Sequence, residues 1–485
     1  MDKTLIAVAM LSGIASLSVH AEQHPLKLAS DHHVLDRVSL IENEGVQCGV
    51  DASHSFCDTV TVKFSDGAYQ RERTDQRQTV LVLDSGMNLH SVLRYRSRIR
   101  AHLVYDPQSN TFVESDPEVA ISRLGQKLLS ELDTFVDPNT QQPAFLPSAW
   151  LRDLALAYGR AAPGDMQDHR TQISHFSHGS KVLGYLTQHN PDAEFVLIDT
   201  ASFLPFLQHK DVICRQDNAT LSDYMKVAAG SLQQDVIERY EVEYVNYSGG
   251  FTRSHVHQAW NSNGCEGSLS NAQAKSLLNT LDPVYQQLFD SPNVLGIQAG
   301  KRHATSGEDA LDVKDYAHRI RVQPYTTEAV NTDISHTGET GWEAVYKDFK
   351  AEFAGHDHID MYVNFGYGRV NYFNQNSTPK MTSDVFGMQY AADWALLASS
   401  WAAPIVTSLA IDTQTKLYNE TPGAVFDPAR LKTKLLPDRC GSAAREYRRV
   451  SGIDGFIRAG DNTCRIQDPL KYRADQLNSQ GYLAN

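Results

Sequence analysis

The chain is short of positive charge: 44 lysines and arginines stand against 58 aspartates and glutamates, a formal net charge of −14. That balance excludes a general attraction to phosphate backbones or anionic lipid surfaces, so no nucleic acid and no membrane insertion is expected of it. Long apolar runs are missing beyond the N-terminus, which leaves no candidate transmembrane helix. Cysteine is scarce, six in all, and none shows the paired spacing of a zinc site. Repeats and low-complexity segments are absent, and no histidine follows His358. The apolar share of 41% is that of a globular protein, so disorder is excluded and a sizeable core is affordable.

What is present begins at the N-terminus. Lys3 precedes an apolar run from Leu5 to Leu17, and Val19-His-Ala21 offers a small-residue cleavage site. Residues 1–21 therefore read as a secretory signal peptide, and the mature chain is expected to be exported, either secreted or periplasmic. In an oxidising compartment six cysteines predict disulfides, and proximity suggests Cys48 with Cys57, Cys214 with Cys265, and Cys440 with Cys464.

Residues 22–75 read as a polar, irregular lead-in. From there strand and helix patterns alternate. Strands are expected at 79–83, 99–105, 193–198, 242–247 and 293–298, and helices at 117–135, 146–158, 178–189, 221–240 and 271–289. This alternation predicts a three-layer α/β domain over 76–425 with a mostly parallel central sheet. A basic, loop-rich extension follows at 426–485. Both terminal additions are expected to be irregular.

Three stretches carry chemistry. Thr79-Val-Leu-Val-Leu-Asp84 is an apolar strand ending in a carboxylate, followed by a Ser85-Gly86 turn. His178-Gly-Ser-Lys-Val-Leu-Gly184 opens a helix with a histidine. Ser399-Ser400-Trp-Ala-Ala-Pro404 leads into a buried helix, with Pro404 expected in its first turn. A serine nucleophile needs a base within reach, and the base needs a carboxylate to hold its tautomer; Asp, His, Ser is one known chain order for such a triad. Parallel sheets gather such groups at the carboxyl ends of their strands.

On these motifs the chain resembles the subtilisin-like serine proteases. Val82-Leu-Asp84-Ser-Gly86 resembles the family's aspartate motif, with Ser85 where threonine is usual. His178, Gly179 and Gly184 match the histidine motif, although Lys181 replaces a second histidine. Ser400-Trp-Ala-Ala-Pro404 matches the serine motif, with Ala398 and Ser399 in place of Gly and Thr. Val245-Asn-Tyr-Ser248-Gly249-Gly250 resembles the strand that cradles an extended substrate. The resemblance covers roughly 78 to 412. It implies a subtilisin-like fold, a protein or peptide substrate, Asp84, His178 and Ser400 as the triad, and Ser248, Gly249 and Gly250 as substrate-binding. It implies no required cofactor, while allowing a structural calcium ion. The family's oxyanion asparagine is missing: Ala299-Gly300 is followed by Lys301, so Lys301 or Gln298 would have to serve. The interval from Asp84 to His178 is also longer than the family's, which implies an insertion.

Two other readings stay open. His175-Phe-Ser177-His-Gly179 looks like a degenerate nucleophile elbow of an α/β-hydrolase esterase with Ser177 as nucleophile, though that order calls for a late histidine. A noncatalytic binding protein on the same scaffold is the third, favoured by Lys301 and by the altered Ala398-Ser399. His356, His358 and Asp360 could hold a metal, but their alternate spacing in a loop fits a solvated cluster better, and no metal site is expected.

Overall fold

The computed structural model describes residues 25–67, 78–165, 178–199, 208–325, 358–364, 381–390, 399–436 and 464–467, apart from single positions within these spans. The proposed signal peptide, Ser177 and Cys440 lie outside them.

Among the described residues nine strands form the central sheet: β2 (Thr79–Asp84), β3 (Ile99–Asp106), β4 (Thr111–Ser115), β6 (Glu194–Asp199), β7 (Tyr244–Tyr247), β8 (Leu295–Ala299), β9 (Arg319–Tyr325), β10 (Met361–Asn364) and β13 (Cys464–Gln467). Their order is β13-β10-β9-β8-β7-β2-β6-β3-β4, and every neighbouring pair is parallel except the β3–β4 hairpin. The expected three-layer α/β architecture is therefore present. β2, the first of these strands in the chain, sits between β6 and β7.

The sequence of β2 explains its place. All six residues are buried, and they divide by period two. Val80 and Val82 pack on one face with Phe195 and Leu197 of β6, while Leu81 and Leu83 pack on the other with Val196, Ile198 and Val245. A strand that is apolar at every position finds partners only where helices cover both faces.

The first face carries α1 (Pro25–Asn43), α2 (Arg123–Asp133), α3 (Arg152–Ala161), α4 (His178–His189) and α9 (Ser399–Glu420); α10 (Pro428–Leu435) packs on α9. The second carries α5 (Asn218–Ser231), α6 (Arg253–Ser262), α7 (Asn271–Asn279) and α8 (Asp282–Phe289). Two disulfides, Cys48–Cys57 and Cys214–Cys265, form as proximity suggested.

Several expectations need correcting. The lead-in is not irregular throughout, because α1 buries Ser30, Val34 and Ile41 along one side and packs on α3. After it β1 (Thr59–Lys63) pairs antiparallel with β5 (Glu118–Ser122). The helix expected from 117 starts only at Arg123. Alternating Val119 and Ile121 make a strand first, and Ser122 then caps the helix by accepting from the Gly125 N–H at 3.1 Å. The single helix expected at 271–289 is two, α7 and α8, interrupted at Thr280–Leu281, and Pro283 stands in the first turn of the second. A small antiparallel pair, β11 (Met381–Asp384) and β12 (Gly387–Tyr390), lies outside the main sheet.

Candidate active site

Asp84 ends β2 and is 2% exposed. Its Oδ1 accepts the Ser85 backbone N–H at 2.6 Å and lies 2.5 Å from His178 Nδ1. The two residues are 94 apart in sequence, so the contact is made by the fold alone. Burial pushes the Asp84 carboxyl above the ordinary range, while the His178 hydrogen bond opposes it. Oδ2 is buried and has no hydrogen-bond partner among the described residues.

Glycine makes the contact feasible. Gly86 turns the chain after the strand with φ +61, a region that favours glycine. Gly179 then donates its N–H to the Ser85 carbonyl at 2.9 Å. A Cβ on Gly179 would lie 2.9 Å from Met87 Sδ and 3.1 Å from the Gly86 oxygen. Small residues on both sides let α4 dock with His178 directly over Asp84.

Ser400 is the second residue of α9 and is 9% exposed. Two hydrogen bonds fix how far α9 reaches. Gln78, just ahead of β2, donates to Thr415 Oγ1 at 2.8 Å, and Thr407 Oγ1 donates to Asn246 Oδ1 at 3.1 Å. Asn246 is in register with Val82. The helix therefore runs antiparallel to the strands. Its rise between Thr407 and Thr415, about 12 Å, matches the strand rise between Gln78 and Val82, about 13 Å. Continued back to Ser400, the helix advances about 10 Å further, and Asp84 stands about 7 Å beyond Val82. The N-terminus of α9 thus rises to the carboxyl edge of the sheet, slightly past Asp84. A further bond, Asn190 Nδ2 to Ser408 Oγ at 2.8 Å, ties α9 to the residue that follows α4.

Pro404 lies in the second turn of α9, not the first, because the helix already begins at Ser399. Its missing N–H leaves the Ser400 carbonyl without its i+4 donor.

Ser248, Gly249 and Gly250 follow β7 beside Asp84, the Ser248 N–H meeting the Leu83 carbonyl at 3.4 Å. Ser248 Oγ accepts from Asn246 Nδ2 at 2.9 Å. The Gly249 carbonyl is held by Gln298 Nε2 at 3.2 Å, and a Cβ on Gly250 would lie 2.4 Å from Asp312 Oδ2. Asp84, Ser85 and residues 248–250 line a cleft of about 510 Å³, closed on its far side by α6.

Lys301 and Gln298 differ from what an oxyanion donor requires. Gln298 is buried with both ends used: Nε2 also donates to Asp312 Oδ1 at 2.7 Å, and Oε1 accepts from Arg319 at 2.9 Å. It braces the cradle. Lys301 Nζ is 2.9 Å from the carboxylate of Asp309, which is fully buried, and the lysine side chain is half exposed. Burial raises Asp312 to about 7. Asp360 is committed to Arg321 at 2.9 Å, and His358 Nε2 meets the Lys301 carbonyl at 2.7 Å. Among the described residues no group of three or more histidines, cysteines or acids is placed to hold a metal ion. No described helix is long and apolar enough to cross a membrane.

Sequence reasoning passed over Thr407, Ser408, Asn190 and Asn246, the residues that set the height of Ser400. A hydroxyl or amide inside an apolar helix or strand was the available signal, since a buried polar group needs a partner.

No protein-family description matches the chain, and no curated protein matches it. Among solved structures, the crystal structure of a lanthipeptide protease is similar at 12% identity and a TM-score of 0.34, over 83% of this chain and 87% of that one. At these values the likeness carries no argument about activity.

Proposed function

We propose that the chain is an exported serine endopeptidase working through Asp84, His178 and Ser400. The observation that carries this is the Asp84 Oδ1 to His178 Nδ1 contact at the sheet edge toward which α9 brings Ser400. Asp84 holds the imidazole with Nδ1 protonated, which makes Nε2 the basic nitrogen. Ser400 gives its proton to Nε2 and attacks the scissile carbonyl, and the resulting imidazolium returns the proton to the leaving amine. The N-terminal N–H groups of α9 face developing negative charge, while Lys301 stays paired with Asp309. The substrate lies extended along Ser248–Gly250. No cofactor enters the chemistry, and calcium would serve structure alone. The two disulfides support export.

A noncatalytic peptide binder is the second reading, favoured by the pairing of Lys301 with Asp309 where the family has an asparagine. A fluorophosphonate probe, with the adduct mapped by mass spectrometry, separates the two. Modification of Ser400, lost in His178→Ala and in Ser400→Ala, is the expected result. An adduct on Ser177 would mean an esterase, and no adduct on folded protein would leave the binder.

A further inference from the structure

We propose that the cleft between Ser85 and α6 is a specificity pocket for a carboxylate side chain, an aspartate or glutamate of an extended peptide, held by His255, Gln258 and Asn263. The occupant follows from the peptidase reading or from the peptide-binder reading, either of which lays a peptide along Ser248–Gly250.

The donors converge on one face. His255, Gln258 and Ser262 line the cleft at helical spacing on α6, with Asn263 at its end. His255 Nδ1 accepts the Thr252 N–H at 3.1 Å, so the neutral ring carries its proton on Nε2. Asn263 also lines the cleft, and its Nδ2 is buried with no hydrogen-bond partner among the described residues. Phe251, itself buried, stacks on His255 with centroids 5.2 Å apart and fixes the ring's orientation.

Among the described residues lining the cleft there is no lysine or arginine, so its donors are neutral groups. Among the described residues that line the cleft the one carboxylate is Asp84, whose Oδ1 is engaged by His178. The Lys301 ammonium is near enough to help hold His255 below the usual imidazole range, after burial itself. The acids that oppose it, Glu308 and Asp309, are already paired, with Arg253 at 2.9 Å and Lys301 at 2.9 Å. A carboxylate, which only accepts, matches a wall of donors.

The test uses full-length mature Ser400→Ala protein, so that binding is read without turnover. Fluorescent hexapeptides carrying Glu, Asp, Gln, Leu, Phe or Lys at one position at a time are titrated by anisotropy. At a single position Glu or Asp should bind about tenfold to a hundredfold more tightly than Leu. That advantage should fall in His255→Asn, which keeps an acceptor for Thr252 but lacks Nε2, and in Gln258→Leu, an exposed change that leaves folding alone. Leu, Phe or Lys preferred at every position, or an acidic preference intact in both variants, would overturn the pocket, as would no peptide binding at all. Probe labelling of the unmutated protein is scored separately. Labelling without acidic preference removes the pocket and keeps the peptidase; acidic preference without labelling does the reverse.

Discussion

Thr407→Val is the change that most directly tests how Ser400 is placed. It preserves shape and removes one hydroxyl whose single proton is shared between Asn246 Oδ1 at 3.1 Å and the Ala403 carbonyl at 2.9 Å. Thr407 and Asn246 are both fully buried, so Asn246 Oδ1 would be left unsatisfied where water does not reach. Such a group costs about 1–3 kcal/mol, which lowers Tm by about 2–4 °C per kcal/mol in a large domain. Asn246 also donates to Ser248, so its relaxation loosens the cradle and the height of α9 together. Labelling of Ser400 by the fluorophosphonate probe, measured well below Tm, should slow by about tenfold or more, since a misplacement near 1 Å costs up to about a hundredfold. Thr407→Ser should restore most of the rate. Thr433→Val, which removes only an exposed bond to the Ala429 carbonyl, should change neither quantity. An unchanged labelling rate and Tm in Thr407→Val would refute the idea that this bond sets the position of Ser400.

Three further outcomes follow from the same structure. Glu243 is raised by burial from 4.5 to about 8, and its Oε2 has no partner among the described residues. The native state therefore keeps a proton that the unfolded chain releases, and stability should fall as pH rises from about 4.5 to about 8. Glu243→Gln should flatten that slope and exceed the parent by about 5 kcal/mol above pH 8 in urea titrations; parallel curves for the two proteins would disprove it. Removing Cys214–Cys265, with a sequence separation of 51, should cost about 4 kcal/mol against about 2.5 kcal/mol for Cys48–Cys57, with a separation of 9, in paired Cys→Ser variants under denaturant. Gly250→Ala forces a methyl against the Asp312 carboxylate that Gln298 holds in place, and should lose about 1–3 kcal/mol along with peptide binding; a full-strength cradle in that variant would be the contrary result.

The parts legible in the sequence were those where one physical demand dominates. Strands buried on both faces have to be apolar throughout, so β2 and β6 could be read directly, and a carboxylate ending such a strand was already at the functional edge. The motif around His178 was legible because glycine beside a histidine signals close packing, and Gly179 against Met87 shows why it is needed. Helix α1 was not legible: Ser30 interrupts the packed side formed by Leu26, Val34, Val38 and Ile41, and Leu28 and Leu35 stand exposed, so no apolar stripe stands out. The break between α7 and α8 was hidden because apolar spacing continues across it while the capping changes. The tether of Lys301 was invisible because Asp309 approaches through a loop, and loops carry no period from which contact can be read.

The central place of β2 also has a consequence for synthesis. A growing chain that has emerged as far as Asp199 already holds Asp84 and His178, but the neighbour that completes one flank of β2 is β7, and Ser400 comes later still. Contacts of such long sequence separation form slowly and late. Whatever the completed edge does, a partly made chain cannot do it.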